Sequence, residues 1–153
     1  MTVEVSVRIA AEPEAVFALV ADLSRMPEWS PETTSVQWLD GAAAAAPGAR
    51  FRGSNRNGRR AWSTTCTIVA FEPPHVIAWR VTAYGFAISR WTYRVEPAAD
   101  GGTLLTESAD DERPGLMKLV APAATGVSDR AEHNRRTMAE TLARIKAVAE
   151  SGA

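Results

Sequence analysis

The chain has 153 residues, of which 46% are hydrophobic and 23% charged; this is ordinary for a soluble protein and enough for one domain with a core of its own. A net charge of −1 provides no global field to draw the chain to nucleic acid or an anionic membrane. The single cysteine, Cys66, excludes an internal disulfide and fits a reducing compartment.

In chain order, Val3, Val5, Val7 and Ile9 alternate with Glu4, Ser6 and Arg8, the pattern of a half-buried first strand. With Glu4 in it, this start reads as neither a signal peptide nor an anchor. No apolar run is long enough to span a bilayer, so a cytoplasmic location is expected. Glu12-Pro13 opens a helix, since proline suits a first helical turn; its buried side is Val16, Phe17, Leu19 and Val20. Asp22 is placed to cap a second, short helix over residues 23–26. Pro27 and Pro31 bracket Trp29 and hold that segment irregular.

Six further strands are predicted over residues 33–39, 49–55, 61–71, 76–83, 88–96 and 103–109. The first two are separated by a loop at 41–48, whose alanine run is too short to nucleate a helix. Asn57-Gly58 is a tight hairpin signal, Pro73-Pro74 ends a strand, and Gly85 and Asp100-Gly101-Gly102 mark later turns. Such short turns imply an antiparallel meander. Residues 114–125 form a connection, with one helical turn expected over Leu116, Met117, Leu119 and Val120.

The chain closes on a long helix at 127–150, roughly 35 Å in length at about 1.5 Å per residue. Val127, Ala131, Met138, Leu142, Ile145, Val148 and Ala149 make one apolar stripe. Asp129 and Glu132 sit near its start, where the helix dipole favours negative charge. A stripe this long needs a broad apolar surface, which the strands supply. Asn134 breaks it, between Ala131 and Met138. Either it lies past the sheet edge in water, the arrangement the sequence favours, or it faces an internal cavity. The whole is an α+β chain in the order β-α-α, six strands, then a helix.

Several short motifs in this order resemble the START-like, Bet v 1-like superfamily, and within it the polyketide cyclase/dehydrase type. They begin with Val16-Phe17, Val20, Asp22, Pro27, Trp29 and Pro31. Gly48-Ala49-Arg50-Phe51, Phe71-Glu72-Pro73-Pro74, Trp79 and Gly102-Thr103 continue them, and Met138, Thr141-Leu142 and Ile145 close them. The resemblance covers nearly the whole chain. It implies a helix-grip fold, in which a curved antiparallel sheet wraps round the last helix and leaves an apolar cavity. It also implies ligand binding, but it fixes no reaction.

Strand alternation sorts the side chains by face. Trp62, Thr64, Cys66 and Ile68 share one face of the fourth strand, Ile77, Trp79 and Val81 of the fifth, and Trp91, Tyr93 and Val95 of the sixth. The aromatics among them, with Phe51 and Met138, are either plain core or the lining of whatever space the helix leaves. Glu107 follows Leu105 by two and should share the core-facing side. Buried there, it would have a raised pKa and could act as acid or base. The alternative, which the sequence favours, places it in water at an open sheet edge.

Arg50, Arg52, Arg56, Arg59 and Arg60 crowd one hairpin. A phosphate or nucleic-acid patch competes there with a solvated outer face, the cheaper explanation. Asp110-Asp111-Glu112 has no metal-loop spacing, and His75, His133 and Cys66 make no zinc set and no nucleophile arrangement. No glycine-rich nucleotide loop is present, so no cofactor is expected.

Three functions follow in order. The first is a binding or carrier protein for a small hydrophobic molecule, polyketide- or lipid-like. The second is a cyclase, dehydratase or aromatase using the same cavity, with Glu107 as a weak candidate for proton transfer. The third is an interaction module using the arginine hairpin. Nucleic acid and membrane insertion are not expected, and the chain is a monomer or a homodimer.

Overall fold

Alternation in the strands and the apolar stripe of the last helix meet across one interface. The computed structural model describes residues 2–115, 119 and 129–152. Its elements are β1 (Thr2–Ile9), α1 (Pro13–Ala21), a 3-10 turn (Leu23–Glu28), β2 (Thr33–Trp38), β3 (Arg50–Asn57), β4 (Arg60–Glu72), β5 (Val76–Ala83), β6 (Phe86–Pro97), β7 (Thr103–Asp111) and α2 (Arg130–Glu150). This is the expected order. Val127 and most of the expected helical turn before it lie outside the described residues.

The seven strands form one antiparallel sheet in the order β1-β7-β6-β5-β4-β3-β2. Consecutive hairpins build β2 to β7, and β1 then pairs with β7 from Thr2 opposite Asp110 to Ile9 opposite Thr103. The edges are therefore β1 and β2, and β7 is interior. Extra residues bulge out of β2 at Thr34, β4 at Val69 and β6 at Ile88. Bulges bend a strand and increase its twist, which suits a sheet that must curve round a helix.

At the closed end Gly102 passes against β1. A Cβ there would lie 2.5 Å from the Ile9 carbonyl oxygen, and the residue has φ +80°, so glycine is required twice over. The same end is packed by α1, which touches β5, β6, β7 and α2. Its Val16, Phe17, Leu19 and Val20 are buried, with Phe17 and Phe71 rings 5.9 Å apart. Asp22 does stand at the start of the 3-10 turn, but its side chain caps no backbone N–H and instead accepts the Ser24 hydroxyl at 2.7 Å.

The N-terminus of α2 has a side-chain cap: Asp129 accepts from the Glu132 backbone N–H at 3.1 Å. Met138, Thr141, Leu142 and Ile145 are buried. Burying each large apolar side chain contributes about 1.5–3 kcal/mol. Leu142 and Ile145 join Ile9, Ile77, Val95 and Leu105 in the main core. Met138 instead packs with Val3 and Ala109 nearer the other end. The helix thus changes role along its length.

Candidate functional site

A cavity of about 700 Å³ lies between the sheet and the N-terminal half of α2. Its floor is set by where the core begins. On β7 the wall includes Glu107, Ala109 and Asp111 but not Leu105; on β6 it includes Trp91 and Tyr93 but not Val95; on α2 it ends at Thr141, before Leu142. Glu107 and Tyr93 therefore mark the floor. Glu32, Arg113, Asp129 and Arg130 stand at the mouth, where β2 begins and β7 ends.

All the candidate lining residues lie on this wall: Phe51, Trp62, Trp79, Trp91, Tyr93, Glu107, Asn134 and Met138. An aromatic row crosses the sheet through Trp38, Phe51, Trp79 and Tyr93, with centroids 5.7, 6.0 and 5.8 Å apart. Tilted and edge-on contacts of this kind hold rings in fixed orientations. The Trp91 indole N–H donates to Ser89 Oγ at 3.0 Å. Asn134 is half-buried on the wall rather than in water past the sheet edge.

Glu107 is 4% exposed. Its strand is covered by β1 on one side and β6 on the other, so the open-edge position that the sequence favours does not arise. The Tyr93 hydroxyl donates to Glu107 Oε2 at 3.0 Å. Oε1 is buried with no hydrogen-bond partner among the described residues, an arrangement that costs about 1–3 kcal/mol. Burial pushes the carboxyl up to about 8, against a smaller downward pull from Tyr93. Burial, reinforced by Glu107, also raises the Tyr93 phenol well above its usual range. Cys66, on the same wall, is pushed up to about 12 by burial; its thiol is inert at neutral pH.

The mouth carries a charge cluster that the sequence did not reveal. Glu32, just before β2, accepts from Arg130 at 3.3 Å and meets His133 Nε2 at 2.9 Å. It ties the sheet edge to the first turn of α2. Burial lowers the Arg130 pKa, partly offset by Glu32. Arg113 grips Asp111 through two bonds of 2.9 and 2.8 Å, and its own pKa is raised by that contact. The only sequence hint was the three-residue spacing of Arg130 and His133, which puts both on one helical face.

On the arginine-rich hairpin, Arg50 is paired with Asp40 at 2.8 Å, and Arg52, Arg56, Arg59 and Arg60 are exposed. Among the described residues no three potential metal ligands cluster, and no helix is long and apolar enough to cross a membrane.

A family model described as polyketide cyclase / dehydrase and lipid transport matches residues 1–150. No curated protein matches the chain. Among solved structures, a polyketide-cyclase-like protein from Corynebacterium glutamicum is 32% identical, with 99% of this chain and 92% of that one covered and a TM-score of 0.64. Major latex-like protein 151 from Panax ginseng is 14% identical over 97% of both chains, with a TM-score of 0.73. The di-domain ARO/CYC StfQ from the steffimycin biosynthetic pathway is also 14% identical, with a TM-score of 0.71. Its match covers 99% of this chain and 51% of StfQ.

Proposed function

The chain belongs to the polyketide cyclase/dehydrase and lipid transport family, and from that premise we propose that it binds one small, largely apolar molecule, polyketide- or lipid-like, between the sheet and α2. The observation that carries this reading is the cavity itself: about 700 Å³, walled by Phe51, Trp62, Trp79, Trp91 and Met138. That volume lies in the range of small-molecule sites, whose walls combine apolar and aromatic side chains with placed polar groups. Flat indole faces favour a ring-containing ligand over a flexible chain. A cytoplasmic setting goes with this reading and rests on the single, buried thiol.

Native protein should carry such a molecule through purification, detectable by mass spectrometry. Stripped protein should take up apolar ring probes with micromolar affinity and change its indole fluorescence. Stripped, folded protein that responds to no member of a broad probe panel would refute the binding reading.

A second reading, an enzyme of cyclase, dehydratase or aromatase type, is favoured by one feature: a buried carboxyl with a free oxygen in the same cavity. Cavity shape would orient the substrate and Glu107 would move the proton. With a substrate identified from the bound material, Glu107→Gln should lower turnover by about a hundredfold or more. Full turnover in that variant would leave a carrier. The interaction-module reading needed a filled core behind the arginine hairpin, and the cavity removes that support.

A further inference from the structure

Only half of the Glu107 carboxyl is accounted for. Tyr93 donates to Oε2, and Oε1 has no partner among the described residues. The described groups around it offer none. Val5 of β1 lies beside it, and Leu105 and Ala109 flank it along β7. On α2, Met138 is apolar and Thr141 spends its hydroxyl proton on the Thr137 carbonyl oxygen at 2.7 Å. The arginines of the cavity stand at the mouth, paired with Asp111 and Glu32. An acid at the floor, with no cation beside it among the described residues, holds its proton, and Glu107 is one of the residues that line the cavity.

We infer that Glu107 is the polar anchor of this cavity: as a neutral acid it donates from Oε1 to a carbonyl oxygen on the leading end of the bound molecule, while Tyr93 holds the carboxyl by donating to Oε2. This deepens the binding reading and rests on it. Tyr93 is a positioning residue, and Glu107 sets specificity. The ligand class is a neutral, ring-containing carbonyl compound. Hydrocarbons of the same shape leave the acid unpaired, and carboxylates find no cation at the floor. The raised pKa of Glu107, about 8, agrees with a proton held at neutral pH.

The experiment compares 2-acetylnaphthalene with 2-isopropenylnaphthalene, close in shape, in which a methylene replaces the carbonyl oxygen. Both are measured at pH 6.5 by displacement of an apolar dye. Wild type should prefer the ketone by about tenfold, the worth of one buried hydrogen bond. Glu107→Gln should keep most of that preference, because its amide both donates to the ketone and accepts from Tyr93. The double variant Glu107→Leu with Tyr93→Phe, which removes both partners and leaves neither unpaired, should bind the two probes within twofold. In the infrared, the bound ketone's carbonyl stretch should fall in wild type and Glu107→Gln but not in the double variant.

The inference is overturned by equal affinities in wild type, or by a ketone preference that persists in the double variant. It is also overturned if 2-naphthol binds better than the ketone and loses that advantage in Glu107→Gln, which would mark an ionised acceptor. Each of these outcomes leaves the binding reading standing; failure of every probe to bind wild type removes both.

Discussion

Glu107 makes stability depend on pH in a direction that an ordinary surface acid would not. Its folded-state pKa is raised from 4.5 to about 8, so the folded state binds the proton more tightly than the unfolded chain. The stability this provides is complete below pH 4.5, is lost as pH rises, and is gone above about pH 8. At about 1.4 kcal/mol per pH unit the whole span amounts to about 5 kcal/mol, most of it between pH 5 and pH 8. That is a large share of the roughly 5–15 kcal/mol net stability of a domain. The assay is urea unfolding of wild type and Glu107→Gln at half-unit steps from pH 5 to pH 8.5. The amide has no proton to lose, and every other titrating group is common to both proteins, so the difference isolates Glu107. Wild type should weaken relative to the variant by about 3 kcal/mol or more over that range. Two curves that stay parallel within about 0.5 kcal/mol would show that water reaches Glu107 and that its burial is not as described.

Three further outcomes are expected. Leu142→Asp places a charge among Ile9, Ile77 and Leu105 and should cost more than about 4 kcal/mol, read as loss of the folded circular-dichroism signal; a wild-type melting temperature would remove α2 from the core. Glu32→Gln weakens the tie to Arg130 and His133 and should speed amide hydrogen exchange in the first turns of α2 while leaving the turns around Leu142 unchanged; uniform protection along the helix would show that the tie holds nothing. Asn134→Leu should shift the relative affinities of polar and apolar ligands, with a stability change within about 0.5 kcal/mol; if both ligand classes bind as in wild type, Asn134 is only a gap in the stripe.

The sheet and its facing were readable because a period of two is a local signal. The parity assignments hold because the bulges fall outside the segments that matter. Val69 follows Trp62 to Ile68, and Ile88 precedes Trp91 to Val95, so no slip intervenes among the cavity aromatics. Glu107 shows where local reading stops. Its parity could be read, but its burial depended on whether β7 was an edge, and that was settled by β1 pairing from the far end of the chain. Glu32 is the stronger case, because its partners Arg130 and His133 lie 98 and 101 residues away and nothing beside it in sequence announces them. Asp22 stands at the expected place and makes a different bond, accepting from the Ser24 hydroxyl and not from a backbone N–H.

The cavity opens at its mouth, so the space holds water or a ligand. Water is held well only where it finds polar partners, and the wall supplies these at Glu107, Thr64, Ser89, Thr137, Asn134 and Glu32. Beside them stand Trp62, Trp79, Trp91, Val3 and Met138, where water has little to bond. Replacing such water by an apolar group is favourable. The same helix packs Leu142 and Ile145 to full burial, so its N-terminal half lines a cavity through its own side chains and not for want of helix length. The wall thus sets the apolar faces of Trp62, Trp79, Trp91 and Met138 beside the polar side chains of Thr64, Ser89, Thr137 and Glu107, so displaced water leaves both apolar surface and unpaired polar groups to be met.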